Sequence, residues 1–176
     1  MPGNDTINKL ATVLAVSGSA YLAGFTSSLS VLAVPVLPLA PPSLATKQWA
    51  GIYTRGAALG PPMGLSSLFL FAYLALAHSA SKADPKGLAF ALAGLCAGAN
   101  MPWTLLTMLP TNSALQAIAN EPAATTAEIE KDAVRRERRA QEVKRLLGKW
   151  SRLNAVRSVG PTLGALLGGA VAVDLI

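Results

Sequence analysis

Four long apolar segments are the feature of this sequence that most constrains its fold. They cover residues 8–34, 56–78, 87–109 and 156–175, and each has about the 20 residues or more that a helix needs to cross a bilayer. Only 14% of the residues are charged, well below the ~25% of a soluble domain. The sequence therefore predicts an all-α fold, a four-helix transmembrane bundle forming a single integral-membrane domain over residues 1–176.

The positive charges predict how the bundle is oriented. Twelve of the 15 Lys and Arg residues fall in residues 35–55 and 110–157, which lie on one side of a four-span bundle. Cytosolic loops carry such an excess, so we expect both segments in the cytosol and both termini on the lumenal side. The long charged loop between the third and fourth helices is predicted to form a helix over about 125–150, and a short turn is predicted at 79–86.

Composition also limits the partners and cofactors. The formal charge of +6 is explained by the two basic segments, so no nucleic-acid partner is expected. The chain has one histidine, His78, and one cysteine, Cys96, too few for a haem, copper, di-iron or zinc site. It also lacks the glycine-rich nucleotide-binding motifs. We therefore expect little use of metal and no nucleotide cofactor, with membrane lipid as a partner, and the oligomeric state stays open between a monomer and a homo-oligomer.

A polar stretch from residue 100 to residue 112 ends the third apolar segment. Asn100, Thr104, Thr107 and Thr111 follow helical spacing, so the sequence predicts that they share one face of a helix. Polar groups inside a membrane are costly and usually face a partner, a cavity or a substrate. Two prolines in the stretch are expected to bend or end the helix and to release backbone carbonyls.

A second polar set leads into the last apolar segment. Trp150, Asn154 and Arg157 have the i, i+4, i+7 spacing of one helix face. The predicted topology brings this face, the 100–112 stretch and the loop residues Trp49 and Tyr53 to the cytosolic half of the bundle. The sequence therefore predicts a pocket there.

Structural explanations compete with this pocket. Arg157 near a helix end can snorkel to the interface, and Asn100 and Thr104 can bond neighbouring helices for roughly 0.6–2 kcal/mol each. The tryptophans can serve as interfacial anchors. Glycines four residues apart are predicted to allow close helix packing rather than function: Gly56, Gly60 and Gly64; Gly94 and Gly98; and Gly160, Gly164 and Gly168.

Short motifs in this order resemble a known family, the small integral-membrane anthrone oxygenases of fungal aromatic polyketide biosynthesis. The motifs are Trp49-x-x-x-Tyr53-x-x-Gly56, Asn100-x-Pro-x-Thr104, Thr111-Asn112 and Trp150-x-x-x-Asn154-x-x-Arg157 before a glycine-rich last helix. The resemblance implies a monooxygenase that converts an anthrone to an anthraquinone with dioxygen and no bound cofactor. It also implies a hydrophobic aromatic polyketide as substrate and an endomembrane location such as the endoplasmic reticulum.

The resemblance also suggests roles for residues. Arg157, Asn154 and Asn100 are the candidate catalytic residues, because a cation and amide donors can stabilise an oxyanion. The sequence shows no convincing general base, and Tyr53, Tyr21 or water remain the alternatives. The candidate substrate-binding residues are Trp150, Trp103, Trp49, Tyr53, Thr104, Thr107, Asn112 and Tyr21.

Three other classes of protein are compatible with the sequence. A non-catalytic four-helix scaffold or assembly partner would use its polar faces to hold helices together. A small transporter of a hydrophobic metabolite is a second alternative, although the sequence lacks the inverted repeat that many transporters show. A metal-dependent oxidase is the third, with few available ligands.

Overall fold

A computed structural model of the chain describes residues 2–79 and 85–176, and these ranges contain helices and no strand. The all-α prediction is confirmed. Most of the turn predicted at 79–86 lies outside the described residues. The helices are α1 (Pro2–Ser28), α2 (Pro42–Ala77), α3 (Pro85–Gly98), α4 (Asn100–Trp103), α5 (Leu109–Ala119), α6 (Ala123–Lys131) and α7 (Ala133–Ala172).

Two π-helical segments and one 3-10 helix join these helices. The first π-helical segment, Leu29–Ala33, follows α1 and leads into the 3-10 helix Val34–Leu39. The second, Thr104–Met108, joins α4 to α5. As a result, α1 and the α3–α5 series each form one nearly continuous rod.

Four rods are long and apolar enough to cross a membrane: Asp5–Leu39, Pro42–Ala77, Pro85–Ala119 and Ala133–Ala172. The predicted four-span bundle is therefore confirmed. α1 packs against α2 and α7, and α3 packs against the same two helices, so the four rods form a closed ring. α5, α6 and the first half of α7 extend from one end of this ring, which we call the charged end.

The second rod is longer than the sequence predicted. It begins at Pro42 rather than near residue 56, so much of the predicted loop 35–55 is helical. Proline is compatible with the first turn of a helix, where its missing N–H would have no intrahelical partner. Trp49 is fully buried in a cluster with Val143, Leu147 and Trp150, and this packing supports the added turns.

From Ala133 onward, the charged helix predicted over about 125–150 and the last membrane span are one helix, not two as the sequence predicted. α7 runs without a break from Ala133, where the Asp132 carboxylate caps the first turn by accepting the Val134 and Arg135 backbone N–H groups. Its charged half buries an i, i+3, i+4, i+7 stripe of apolar side chains, which keeps the helix continuous. The stripe is Val143, Leu146, Leu147 and Trp150.

Both π-helical segments end two residues before a proline. Leu29–Ala33 precedes Pro35, and Thr104–Met108 precedes Pro110. Each proline lacks the N–H that would bond the carbonyl four residues earlier, inside the segment. A wider turn offers other donors to such carbonyls, which gives a physical cause for the π geometry.

Glycines allow α7 to lie directly on the backbone of α3. A Cβ atom added at Gly160 would be 2.5 Å from the Cys96 carbonyl oxygen, and one at Gly164 would be 2.8 Å from the Ala93 carbonyl oxygen. A larger residue would have to displace main chain rather than a mobile side chain. These glycines therefore fix the distance between α3 and α7.

Gly160→Ala is expected to destabilise the protein by about 1–3 kcal/mol, because the added methyl group overpacks a rigid contact. Gly169→Ala is the matched control on the same helix, since a Cβ there meets nothing within 4 Å. Unfolding of both variants in detergent micelles, followed by circular dichroism, measures the difference. Equal stability of the two variants would contradict this account of the α3–α7 contact.

Candidate functional site

A cavity of about 190 Å³ lies toward the charged end of the bundle, between α2, the α3–α5 rod and α7. Its wall is mostly apolar, with a few polar groups, as is usual for sites that bind small molecules. The polar or aromatic lining residues are Tyr53, Asn100, Thr104, Asn112, Trp150 and Arg157. The remaining lining residues are Leu29, Ile52, Gly56, Ala57, Gly60, Pro61, Gly64, Leu65, Ala97, Gly98, Met101, Leu105 and Met108.

The π-helical segment Thr104–Met108 changes which polar residues face the cavity. Regular α-helical spacing predicted one face with Asn100, Thr104, Thr107 and Thr111. The wider π turn advances the face by one residue, so positions 100, 104, 108 and 112 line the cavity instead. Thr107 faces elsewhere, and its hydroxyl donates to the Trp103 carbonyl at 2.7 Å. Of the predicted face, Asn100 and Thr104 therefore line the cavity, and Thr107 and Thr111 do not.

Arg157 brings a positive charge to the cavity from α7. Its Nη1 lies 3.4 Å from the Thr104 hydroxyl oxygen, and its buried Nε has no hydrogen-bond partner. Among the described residues, no ion pair includes Arg157. A guanidinium in mostly apolar surroundings with unused donors favours an anionic or strongly accepting ligand.

Trp103 holds α4 against α7 beside this arginine. Its indole Nε1 donates to the Leu153 carbonyl at 3.1 Å. Thr104 follows Trp103 directly, and Arg157 lies one turn after Leu153, so this bond fixes the approach of Arg157 to Thr104. Trp103 does not line the cavity, which makes it a positioning residue rather than the pocket wall that the sequence suggested.

Asn112 and Trp150 form a buried polar pair at the cavity. The Trp150 Nε1 donates to the Asn112 Oδ1 at 2.9 Å, and Asn112 is only 2% exposed. The Asn112 side-chain nitrogen donates to no acceptor within the described part of the chain. Because Asn112 lines the cavity, this amide is a donor available to a bound molecule.

Aromatic rings build the wall behind Tyr53. The Trp49 ring stacks on the Tyr53 ring with centroids 5.1 Å apart and meets the Trp150 ring edge to face at 6.0 Å. Trp49 itself is fully buried and does not line the cavity. Trp49 lies behind the wall and orients the Tyr53 and Trp150 rings, which line the cavity. Aromatic pairs prefer such stacked and edge-to-face geometries.

Asn154 lies outside the cavity wall, so its predicted contact with substrate is not supported. Its side-chain nitrogen donates to the Thr26 carbonyl at 2.6 Å and to the Ser30 hydroxyl at 2.8 Å. Ser151 adds a bond from its hydroxyl to the Ser30 carbonyl at 2.7 Å. These contacts tie α7 to the π-helical segment of the first rod, whose Leu29 lines the cavity.

Tyr21 also lies away from the cavity. It is exposed on α1 and stacks on Phe25, so the structure does not support it as a base or a binding residue. Residues 2–79 and 85–176 contain no group of three or more His, Cys, Asp or Glu side chains that could hold a metal ion.

Glycines of α2 form a wall that sequence reasoning assigned to helix packing. A Cβ at Gly60 would meet nothing within 4 Å, and one at Gly56 would meet only the Phe25 ring at 3.8 Å. Both line the cavity, together with Pro61. The adjacent prolines Pro61 and Pro62 in mid-helix are a sequence signal that this part of α2 borders a cavity. Helix-breaking residues at membrane depth are tolerated where the backbone borders a cavity or is bonded by neighbouring helices.

Four membrane-length rods surround a mostly apolar cavity with a few polar groups in its wall, which defines the class as a helical membrane protein with an internal cavity. The chain belongs to the anthrone oxygenase family, whose model matches residues 49–167. This confirms the family that the sequence motifs resemble, a family of oxygenase enzymes.

Individual relatives are similar over nearly the whole chain. The anthrone oxygenase AgnL2 of Paecilomyces divaricatus is 34% identical over 90% of this chain and 92% of its own length. The anthrone oxygenase tpcL of Aspergillus fumigatus is 29% identical over 96% of each chain. The noranthrone monooxygenase of Aspergillus flavus is 32% identical over 92% of this chain and 73% of its own. No solved structure matches the chain.

Asn154→Ala is expected to lower the free energy of unfolding by about 1–3 kcal/mol, because the buried Thr26 carbonyl and Ser30 hydroxyl of the first rod lose their donor on α7. Ser158→Ala is the control, one turn further along α7, where the hydroxyl bonds only the Ala155 carbonyl of its own helix. Thermal unfolding in detergent compares the two. If Asn154→Ala unfolds at the wild-type temperature, the bonds from α7 to α1 do not stabilise the bundle.

Proposed function

We propose that the chain is a membrane-bound oxygenase that converts an anthrone to an anthraquinone with dioxygen and without a bound cofactor. The names of the relatives support the reaction class. The observation that carries the proposal is Arg157, a cation with unused donors at a mostly apolar cavity. An anthrone is a flat apolar tricycle with one oxygen edge, and it becomes an anion when its methylene carbon loses a proton.

The reaction balances without a reductant. Loss of a methylene proton gives the enolate, which passes one electron to dioxygen, and the resulting superoxide and carbon radical join to form a hydroperoxide anion. This anion regains the proton. The hydroperoxide then breaks its O–O bond and loses the second methylene hydrogen as water, leaving a new carbonyl group. One anthrone and one dioxygen thus give one anthraquinone and one water, so both oxidation equivalents come from dioxygen.

The protein's part in this scheme is to favour the enolate and hold it. Arg157 and the Asn112 amide supply donors for the developing oxyanion, and a preorganised donor is worth about 2.7–4 kcal/mol in such sites. Thr104 positions the guanidinium through its hydroxyl. Asn100 lines the same cavity and is a further donor for an oxygen of the substrate.

The remaining roles in the proposed reaction are those of the aromatic rings and of the group that accepts the proton. Tyr53 and Trp150 offer aromatic surface to the tricycle. Tyr53 lines the cavity, so the acceptor of the methylene proton that we propose is either its oxygen in the deprotonated form or water. The methylene group of an anthrone is acidic for a carbon acid, because its anion is a phenolate-like enolate, so a weak base is sufficient.

The location of the site follows from the same proposal. The basic residues of the charged end support a cytosolic location for that end, with both termini lumenal. An apolar polyketide substrate partitions into membrane lipid, so the cavity is reached from the bilayer between helices. The endoplasmic reticulum is the endomembrane that we propose.

Oxygen uptake tests the proposal directly. Purified protein in detergent, treated with chelator, is expected to consume oxygen with emodin anthrone faster than protein-free detergent and to form the anthraquinone in equal amount. Equal rates with and without folded protein, across several anthrones, would reject the oxygenase and favour a scaffold or a transporter. Activity that disappears with the chelator and returns with a metal would reject the cofactor-free reaction alone.

Arg157→Ala is expected to lower kcat by about 10²–10³-fold, because the oxyanion loses its cation. Arg152→Ala is the matched control, since this residue is exposed on the same helix and bonds the Gly148 carbonyl instead of lining the cavity. Oxygen uptake per folded molecule measures both. Wild-type turnover by Arg157→Ala would remove Arg157 from the mechanism.

A further inference from the structure

Two adjacent prolines lie in the middle of α2, and they differ in their relation to the cavity. Pro61 lines the cavity, whereas Pro62 is exposed and does not. Proline has no backbone N–H, so each removes the donor that would bond the carbonyl four residues earlier. Pro61 thereby withdraws the i+4 donor from the Ala57 carbonyl, and Pro62 withdraws it from the Ala58 carbonyl.

The Ala57 carbonyl is on the cavity side of α2. Helix carbonyls point along the axis toward the residue four positions later, and Ala57, Gly60 and Pro61 all line the cavity. Ala58 does not line it. The acceptor left by Pro61 is therefore at the cavity wall, while the acceptor left by Pro62 is not.

Gly60 keeps this part of the wall open. A Cβ at this position would have no heavy atom within 4 Å outside its own stretch of helix, so the space beside the carbonyl belongs to the cavity. The wall formed by the α3–α5 rod includes Met101 and Met108, whose flexible side chains can adapt to molecules of different outline.

An independent observation indicates a polar ligand in the same cavity. Asn112, only 2% exposed, lines the cavity and has a side-chain nitrogen with no acceptor among the described residues. Arg157 lines the same cavity, and its buried Nε has no hydrogen-bond partner. Buried polar groups are normally bonded, so unused donors on these walls and a released acceptor on another suggest a molecule that bonds both.

We propose that the Ala57 carbonyl, released by Pro61 and uncovered by Gly60, accepts a hydrogen bond from a hydroxyl group on an outer ring of the substrate. Pro61 is then a specificity-determining residue that favours hydroxylated tricycles. The identity of the ligand as an anthrone rests on the proposed function. The acceptor itself rests on the geometry of α2.

The test compares two variants of α2. Pro61→Ala restores a backbone N–H on the cavity side of the helix, and Pro62→Ala restores one on the other side. The substrates are anthrones with a hydroxyl or a methoxy group on a ring carbon far from the carbonyl, where the hydroxyl cannot bond its own molecule. Wild type and Pro62→Ala are expected to prefer the hydroxyl compound in kcat/KM by about two- to tenfold, the effect of one hydrogen bond. Pro61→Ala is expected to bring this ratio close to one.

Equal behaviour of the two variants would overturn the proposal, whether both keep the preference or both lose it. If Pro61→Ala fails to fold, Gly60→Val replaces it, because its side chain would cover the carbonyl, with Gly24→Val as the control at an open position on α1. A preference kept by Gly60→Val would then overturn the proposal.

Binding separates this inference from the oxygenase reaction. Hydroxy- and methoxyanthraquinones are titrated without turnover, with quenching of tryptophan fluorescence as the signal. The wild-type protein could oxidise no anthrone and still bind the hydroxyl compound more tightly, with Pro61→Ala abolishing this preference. That outcome would support the Ala57 carbonyl as an acceptor and reject the proposed reaction. Oxidation of anthrones without any preference for the hydroxyl compound would support the reaction and reject the Ala57 carbonyl as an acceptor.

Discussion

Backbone contact between α3 and α7 is the constraint on which the site depends. Gly160 and Gly164 let α7 approach the Cys96 and Ala93 carbonyls more closely than any side chain would allow. Arg157 lies less than one turn before this contact and can therefore reach the Thr104 hydroxyl. In a bilayer, where lipid is as apolar as the helices, such close packing replaces the hydrophobic effect as the source of helix association. The same contact thus holds the bundle together and sets the position of its buried cation.

Prolines shape the other walls of the cavity. Pro110 accompanies the π-helical turn that places Asn112 rather than Thr111 on the cavity face. Pro61 leaves a carbonyl without its helical donor on the facing wall of α2. A backbone group without a partner is costly in hydrocarbon, so these distortions are tolerated where they border a cavity or find partners on neighbouring helices. The polar chemistry of the site is in this way partly main-chain chemistry, which side-chain motifs do not reveal.

The residues predicted from sequence divide according to the helix that carries them. Asn100, Thr104 and Arg157 line the cavity as expected from helical spacing. Asn154 satisfies the same spacing but turns toward the first rod, where Thr26 and Ser30 bind its amide. Periodicity gives the angle of a side chain about its own helix, and it cannot say which neighbour occupies that direction. Gly60 shows the converse, since the four-residue glycine pattern that places close packing in α7 borders open space at this position of α2.

The sequence by itself determined the number of membrane-length helices, the grouping of the basic residues and the family, because length, hydropathy, charge and short motifs are properties of local sequence. Only the tertiary structure decided where α2 begins, that the charged helix and the last span are one, and which polar residues share a cavity. These outcomes depend on packing between distant segments, such as Trp49 against Trp150, and on the π turn at residues 104–108 that shifts a helix face by one position. Neither is encoded in a local pattern of apolar and polar residues.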